Sequence, residues 1–371
     1  MSAATARTAR LRATASVAVI ALLSLLVVST KAEAAPRAFF GVMPQDPLTT
    51  ADYQHMGQAK VGTLRFMIHW ASVDPGPGFD YNFAPVDEVV RESARNGVRP
   101  LPFITGTPAW VAKLDGENCS PCDFFAPRRA QALAAFRAFT ADLARRYGPN
   151  GSFWAANPSV PEKPIRDWQI WNEQNSASFY DPKPNVKAYA KLINAAHDGI
   201  TAVDPKADIV LGGMFGTPQQ GRKPSIFAWR FLEKLYGIKG ARKNFDGVGI
   251  HPYAGQMTKV IQQTELMIEA IDDARDRNVQ TWFTELGWAS SGPSNPLVKG
   301  SRGQAKRLKE AFKYFLRNRR EFNAQTVIWY SWRDNNSGEG LCEWCAGSGL
   351  LTDNGGEKPA YRAFTNFTGG N

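Results

Sequence analysis

Long apolar runs are scarce in this 371-residue chain. Beyond its first thirty or so residues, none reaches the roughly 18–20 apolar residues that a membrane span requires. The chain also lacks a low-complexity tract and any linker-like composition shift, so nothing marks a second domain. No G-x-G-x-x-G follows the first apolar run, which argues against an open, doubly wound dinucleotide-binding sheet. Extended basic blocks are missing too. The longest basic cluster, RNRRE at 317–321, falls in a helical pattern and reads as a solvated helix end rather than a nucleic-acid patch.

Cysteine is sparse and oddly placed. Its four copies form two C-x-x-C pairs, Cys119 and Cys122 in CSPC and Cys342 and Cys345 in CEWC. Two such pairs can bind zinc. They lie far apart in the sequence, however, and neither opens a helix that would lower a thiol pKa for redox work. Two local disulfides, each clamping a loop, are the reading adopted, with cross-paired disulfides and a zinc site as the other arrangements. No metal or organic cofactor is expected.

What is present begins with the leader. Arg7, Arg10 and Arg12 precede an apolar core from Val17 to Val28, and Ala32-Glu33-Ala34 forms an A-x-A cleavage site. The core is short for a membrane span, so residues 1–34 read as a secretory signal peptide. Residues 35–371 then form the mature chain, exported to a compartment where disulfides persist and free of the membrane after cleavage. The leader carries three of the ten net positive charges. The rest are scattered, giving a basic surface that favours an anionic wall or polysaccharide.

The remaining chain alternates short apolar runs with helical patterns. Eight runs stand out: FFGVM (39–43), GTLRFMI (62–68), RPLPFI (99–104), DWQIW (167–171), DIVLGG (208–213), GVGIH (247–251), QTWFTE (280–285) and TVIWYS (326–331). They are continuous rather than alternating, as in parallel strands covered on both faces. Between them, residues 128–148, 186–200 and 306–318 carry apolar residues at helical spacing, for example Leu308, Phe312, Phe315 and Leu316. Gly97, Gly148 and Gly237 are expected helix stops. The pattern predicts a single-domain α/β fold, a (β/α)8 TIM barrel.

In such a barrel the C-terminal strand ends carry the chemistry. Those ends supply Arg65, Trp110, Asn172, Glu173, His251, Tyr253, Glu285 and Trp332. Two carboxylates in an aromatic cleft suit acetal hydrolysis, where one must be protonated and the other ionised. Aromatic faces pack on the C–H side of sugars, and an arginine beside one carboxylate keeps it ionised.

These residues carry a resemblance. Trp171-Asn172-Glu173-Gln174-Asn175 resembles the W-N-E-x-N signature at the fourth strand of clan A retaining glycoside hydrolases, most similar to family 39 and next to family 5. Thr284-Glu285-Leu286-Gly287-Trp288 resembles that clan's seventh-strand motif. The resemblance implies Glu173 as acid/base and Glu285 as nucleophile. It also implies Arg65 and Tyr253 as contacts of the nucleophile, with His251 beside them, and Trp332 as the platform under the central sugar. Gln174 stands where the clan usually has proline.

The expectation is therefore a secreted, monomeric, retaining glycoside hydrolase acting on a polysaccharide or oligosaccharide, with no nucleic-acid partner. A catalytically idle polysaccharide-binding barrel and a transglycosylase using the same residues are the alternatives. The loops 112–126, 216–225 and 333–350 are expected to shape the cleft, with the two C-x-x-C pairs stiffening its rim.

Overall fold

All eight apolar runs become strands. The computed structural model describes residues 35–218, 224–335 and 342–371, so the signal-peptide segment 1–34 and parts of two expected cleft loops lie outside the described residues. The strands are β1 (Phe40–Met43), β2 (Thr63–His69), β3 (Arg99–Thr105), β4 (Asp167–Ile170), β5 (Asp208–Leu211), β6 (Met214–Phe215), β7 (Gly247–His251), β8 (Gln280–Leu286) and β9 (Ala324–Tyr330). The fifth expected strand, 208–213, ends early at Leu211, and after Gly212-Gly213 the chain resumes as β6, beyond the expected run. A side chain at Gly213 would collide with the imidazole of His251, so the break is where the barrel wall yields to a site residue.

Every pairing between these strands is parallel. Their order is β5-β4-β3-β2-β1-β9-β8-β7-β6, and a β5–β7 contact at Val210 and Gly247 closes the sheet into a barrel. The longest register, β2 on β3, runs from Thr63 opposite Arg99 to His69 opposite Thr105. Residues 65, 67 and 69 therefore share one face of β2, level with 101, 103 and 105 of β3. Inside the barrel, Leu101, Val210 and Trp282 form a separate apolar cluster.

Helices cover the outside. Ala130–Tyr147 buries Phe136, Phe139 and Leu143 along one stripe. Full burial of side chains of this size is worth about 1.5–3 kcal/mol each. Val186–Thr201 starts at Asn185, whose side chain accepts from the Ala188 amide at 3.0 Å. The last expected helix begins earlier than its apolar stripe, at Gly300, and runs to Arg317, burying Leu308, Phe312 and Phe315. Of the three glycines expected to stop helices, only Gly97 is left-handed, at φ +74°. Gly148 and Gly237 follow their helices with φ of −71° and −68°. Residues Ala35–Asn371 form one compact unit, and no described helix is long and apolar enough to cross a membrane.

Candidate active site

At the C-terminal mouth of the barrel lies a cleft of about 520 Å³, lined by residues that include Asn172, Glu173, Tyr253 and Glu285. Glu285 sits near the end of β8. Strand alternation would turn it away from Thr284, yet both side chains reach the interior. A register shift between Phe283 and Leu286 accounts for this: the bulge lets neighbouring residues face the same way. Glu173 lies three residues past the end of β4, in a turn where Trp171 has φ +72° and Glu173 φ +45°. Neither is glycine, so the turn stores backbone strain. It is tied down by amide bonds from Trp171 to the Ile104 carbonyl and from Glu173 to the Gly213 carbonyl, both 2.9 Å.

Arg65 organises the centre. Its guanidinium is fully buried and donates from Nη1 to Glu285 Oε1 at 2.5 Å, from Nη2 to Asn172 Oδ1 at 2.8 Å and from Nε to Gln169 Oε1 at 2.7 Å. The Phe103 ring lies 4.0 Å from the guanidinium carbon. Tyr253 Oη donates to the second oxygen of Glu285 at 3.0 Å. Glu285 thus accepts from two donors, one of them charged.

The hydrogen bonds around Gln169 fix the tautomer of His251. Arg65 can only donate, so the Gln169 carbonyl faces it and the Gln169 amide donates onward, to Thr284 Oγ1 at 3.0 Å and to the Leu211 carbonyl at 3.1 Å. Thr284 then spends its single proton on His251 Nε2, 3.0 Å away. The remaining ring nitrogen, Nδ1, carries the hydrogen and donates to Glu173 Oε1 at 3.0 Å. A directed chain therefore runs Arg65–Gln169–Thr284–His251–Glu173. Burial, then the charge of Arg65, holds the His251 pKa well below its ordinary value, in agreement with a neutral ring.

The two carboxyls sit in contrasting fields. Burial raises the Glu173 pKa well above the ordinary range, and the negative charge of Glu285 adds to it against a smaller opposing pull from Arg65. Burial also raises Glu285, but there the Arg65 charge and the bonds from Tyr253 and Arg65 oppose it. One proton shared by this pair consequently resides on Glu173, leaving Glu285 ionised.

Glu173, His251 and Glu285 present ligand atoms within 4.8 Å of one another, a spacing a metal ion could use. The chemistry of the donor set disfavours one: Arg65 places a full positive charge on Glu285, and the His251 nitrogen facing the pair is the protonated one.

The barrel mouth thus brings Arg65, Asn172, Glu173, His251, Tyr253 and Glu285 together. Two expected cleft residues lie elsewhere. Trp332 is fully buried behind the end of β9, its indole donating to Asp52 at 3.0 Å and packing on His55. The reason is register: β9 ends at Tyr330, and the Trp332 amide bonds the Met43 carbonyl, which turns the indole toward the helix Thr50–Gln58. Tyr330 lines the cleft instead. Trp110 packs beside Gly76 in the helix Ala109–Leu114 and is not part of the cleft wall.

Both C-x-x-C pairs are local disulfides, Cys119–Cys122 and Cys342–Cys345. Cys342 and Cys345 line the cleft, whereas Cys119 and Cys122 are not in its wall. The first loop carries Phe124 into the wall, and its Asp123 side chain is hydrogen-bonded to His69 Nε2 across 2.9 Å. The second places Trp344 in the wall, 5.4 Å from the Tyr253 ring and 6.4 Å from that of Tyr330. Gln169, Thr284, Tyr330 and Trp344 are the site residues that sequence reasoning passed over. Gln169 is the one amide in the apolar run WQIW, and Thr284 and Tyr330 stand near the ends of the runs QTWFTE and TVIWYS.

The tautomer chain makes a prediction. Thr284→Val keeps the side-chain shape but leaves His251 Nε2 and one Gln169 hydrogen without partners, a cost of about 1–3 kcal/mol. His251 is then free to take its other tautomer and cease donating to Glu173. Losing a donor to the carboxylate favours its protonated form, so the basic limb of the kcat/KM–pH profile should move to higher pH, and Thr284→Ser should move it back. An unshifted profile in Thr284→Val would rule out the relay.

No protein-family model matches the chain, and no curated protein matches it. Solved structures do. A family 39 glycoside hydrolase from the gut symbiont Bacteroides cellulosilyticus superposes with a TM-score of 0.65 at 21% identity, over 90% of this chain and 63% of that one. A monomeric beta-xylosidase from Caulobacter crescentus gives 0.62 at 17%, over 90% and 68%. A GH5_18 protein from Bifidobacterium longum subsp. infantis gives 0.61 at 15%, over 90% and 78%. The chain spans just under two thirds of the length of the first of these. At such identities the likeness speaks to fold: this is a (β/α)8 barrel whose structural neighbours are GH39 and GH5 glycoside hydrolases.

Proposed function

We propose that the protein is a secreted retaining glycosidase that hydrolyses O-glycosidic bonds by double displacement. The observation that carries this is the Glu173–Glu285 pair: two buried carboxyls with oxygens within 4.8 Å, in contrasting electrostatic fields, at the floor of an open cleft. Retaining enzymes space their carboxyls by roughly 5–5.5 Å, and inverting enzymes by roughly 6.5–9.5 Å to admit a water. The short spacing supports direct attack by Glu285 on the anomeric carbon.

In the first step Glu173 gives its proton to the departing oxygen as Glu285 forms the glycosyl–enzyme ester. Arg65 and Tyr253 hold the attacking carboxylate in place and ionised. Once the ester forms, the charge that raised the Glu173 pKa is gone. Glu173 then releases its proton more readily and serves as the base that activates water. Asn172, held by Arg65, faces the cleft where a sugar hydroxyl adjacent to the anomeric centre would lie. Secretion rests on the leader in residues 1–34, and the neighbours named above make a carbohydrate the natural substrate class. An idle binding barrel would have no use for a strained turn that presents a protonated acid.

The test is covalent trapping. Incubation with 2-deoxy-2-fluoro glycosyl fluorides of several sugars, followed by peptide mapping, should place one added glycosyl mass on the peptide containing Glu285. Label on another residue, or steady hydrolysis with inversion of configuration, would refute the mechanism.

A further inference from the structure

The turn that carries the acid and the break in the barrel wall at Gly212-Gly213 are one unit. β4 ends at Ile170, opposite Leu211. Beyond the break, β6 pairs with β7 on its far side, Met214 opposite Ile250 and Phe215 opposite His251. Three consecutive residues of the acid turn take over where β4 stops. The Glu173 amide donates to the Gly213 carbonyl at 2.9 Å. The Gln174 side chain donates from Nε2 to the Gly212 carbonyl, also at 2.9 Å. The Asn175 side chain accepts from the Phe215 amide at 3.0 Å and donates to the carbonyls of Phe215 at 2.7 Å and Ile226 at 2.8 Å.

Gly212 is a fixed anchor. Its amide donates to Tyr189 Oη at 2.8 Å, and that hydroxyl donates to the Ile170 carbonyl at 2.9 Å. A side chain at Gly212 would run into Gln174 Oε1 and the Trp171 carbonyl, so this close approach requires glycine.

Within this stitching, Gln174 is a poor choice for stability. Asn175 uses both ends of its carboxamide. Gln174 is fully buried and uses one end, while its Oε1 has no hydrogen-bond partner among the described residues. A buried hydrogen bond contributes about 0.5–1.5 kcal/mol net, whereas a stranded buried acceptor costs about 1–3 kcal/mol. Methionine or leucine would fill a similar volume without that loss. What the carboxamide supplies is direction. It fixes the residue that follows Glu173, in a turn where Glu173 itself is held at φ +45°.

We propose that Gln174 is a positioning residue for the general acid: its bond to the Gly212 carbonyl locks the left-handed turn so that the Glu173 proton points at the departing oxygen. The assignment rests on the glycosidase reading. The stitch also serves the His251 contact. β6 lies beside His251, so fixing Glu173 to the break keeps its carboxyl on His251 Nδ1 at 3.0 Å. Without the Gln174 bond the strained turn relaxes, the carboxyl swings off line, and proton transfer to the leaving oxygen slows. Glu285 is held by Arg65 and Tyr253 from other strands and keeps its place.

The test compares two leaving groups on one sugar, chosen by screening 4-nitrophenyl glycosides. An alkyl glycoside needs the proton of the acid; a 2,4-dinitrophenyl glycoside departs without it. In Gln174→Met, kcat/KM should fall by about tenfold or more on the alkyl glycoside and by about twofold at most on the dinitrophenyl one, since general acid catalysis is worth roughly 10²–10⁴ in all. Both are measured on the same sample, so their ratio does not depend on the fraction folded. Gln174→Leu is read alongside with the same expectation. Gln174→Glu, whose carboxyl is kept protonated by burial and can donate to Gly212, should hold the ratio of the parent. Equal losses on the two substrates, a ratio unchanged in both Gln174→Met and Gln174→Leu, or a Gln174→Glu that behaves like Gln174→Met, takes this role from Gln174 and leaves the glycosidase standing. A parent that cleaves neither glycoside defeats the glycosidase reading itself.

Discussion

Glu285→Ala should reduce kcat/KM on aryl glycosides by at least about 10⁴-fold, the scale on which loss of a covalent nucleophile acts, and sodium azide should restore turnover. The surroundings of Glu285 explain why rescue is expected. Removing the carboxylate leaves a space at the anomeric face and leaves the buried Arg65 facing it without its anionic partner. A small anion is drawn there for the reason the carboxylate was, and it attacks once, so the product is a glycosyl azide of inverted configuration. Breaking a buried ion pair from one side costs about 3–5 kcal/mol of stability. Glu285→Gln, which keeps an acceptor for Arg65, is therefore the companion that separates unfolding from lost chemistry. Full activity in Glu285→Ala, or an azide product of retained configuration, would remove Glu285 from the nucleophile's place.

How far the sequence reached can be argued from single residues. The barrel was legible because buried parallel strands read as continuous apolar runs, and the eight runs appear in the expected places. Asn172, Glu173, His251, Tyr253 and Glu285 were legible because each stands within three residues of the C-terminal end of its strand, where the fold itself converges them, and Arg65, four residues before the end of β2, reaches the same place with its long side chain. Trp332 misled because IWYSW offers three aromatic rings at the end of one strand, and only the backbone shows that β9 ends at Tyr330 and that the Trp332 amide pairs with Met43. Thr284 was hidden by the opposite failure. Beside an inward Glu285, alternation assigns it to the outer face, and the bulge that brings it in leaves no mark in the sequence. Trp344 lay in a loop tied by a disulfide rather than on a strand, so no periodicity could place it.

Glu173→Ala should behave differently from Glu285→Ala, and the difference assigns the roles. The acid matters in proportion to how badly the leaving group needs a proton. For an alkyl glycoside kcat/KM should fall by about 10³-fold or more. For a 2,4-dinitrophenyl glycoside, whose phenolate departs unaided, the loss should stay within about tenfold, since general acid catalysis is worth roughly 10²–10⁴ where it is needed. The pH profile follows the same logic, sign included. Activity of the parent requires Glu285 ionised, so it falls as pH drops through the Glu285 pKa. It requires Glu173 protonated, so it falls as pH rises through the Glu173 pKa, which burial and the Glu285 charge place well above the ordinary carboxyl range. Glu173→Ala should therefore abolish the basic limb on the dinitrophenyl substrate while leaving the acidic limb, and azide should now yield a product of retained configuration, because Glu285 still forms the glycosyl–enzyme and azide only opens it. Equal losses on the two leaving groups would deny Glu173 the proton. So would a basic limb that persists without it.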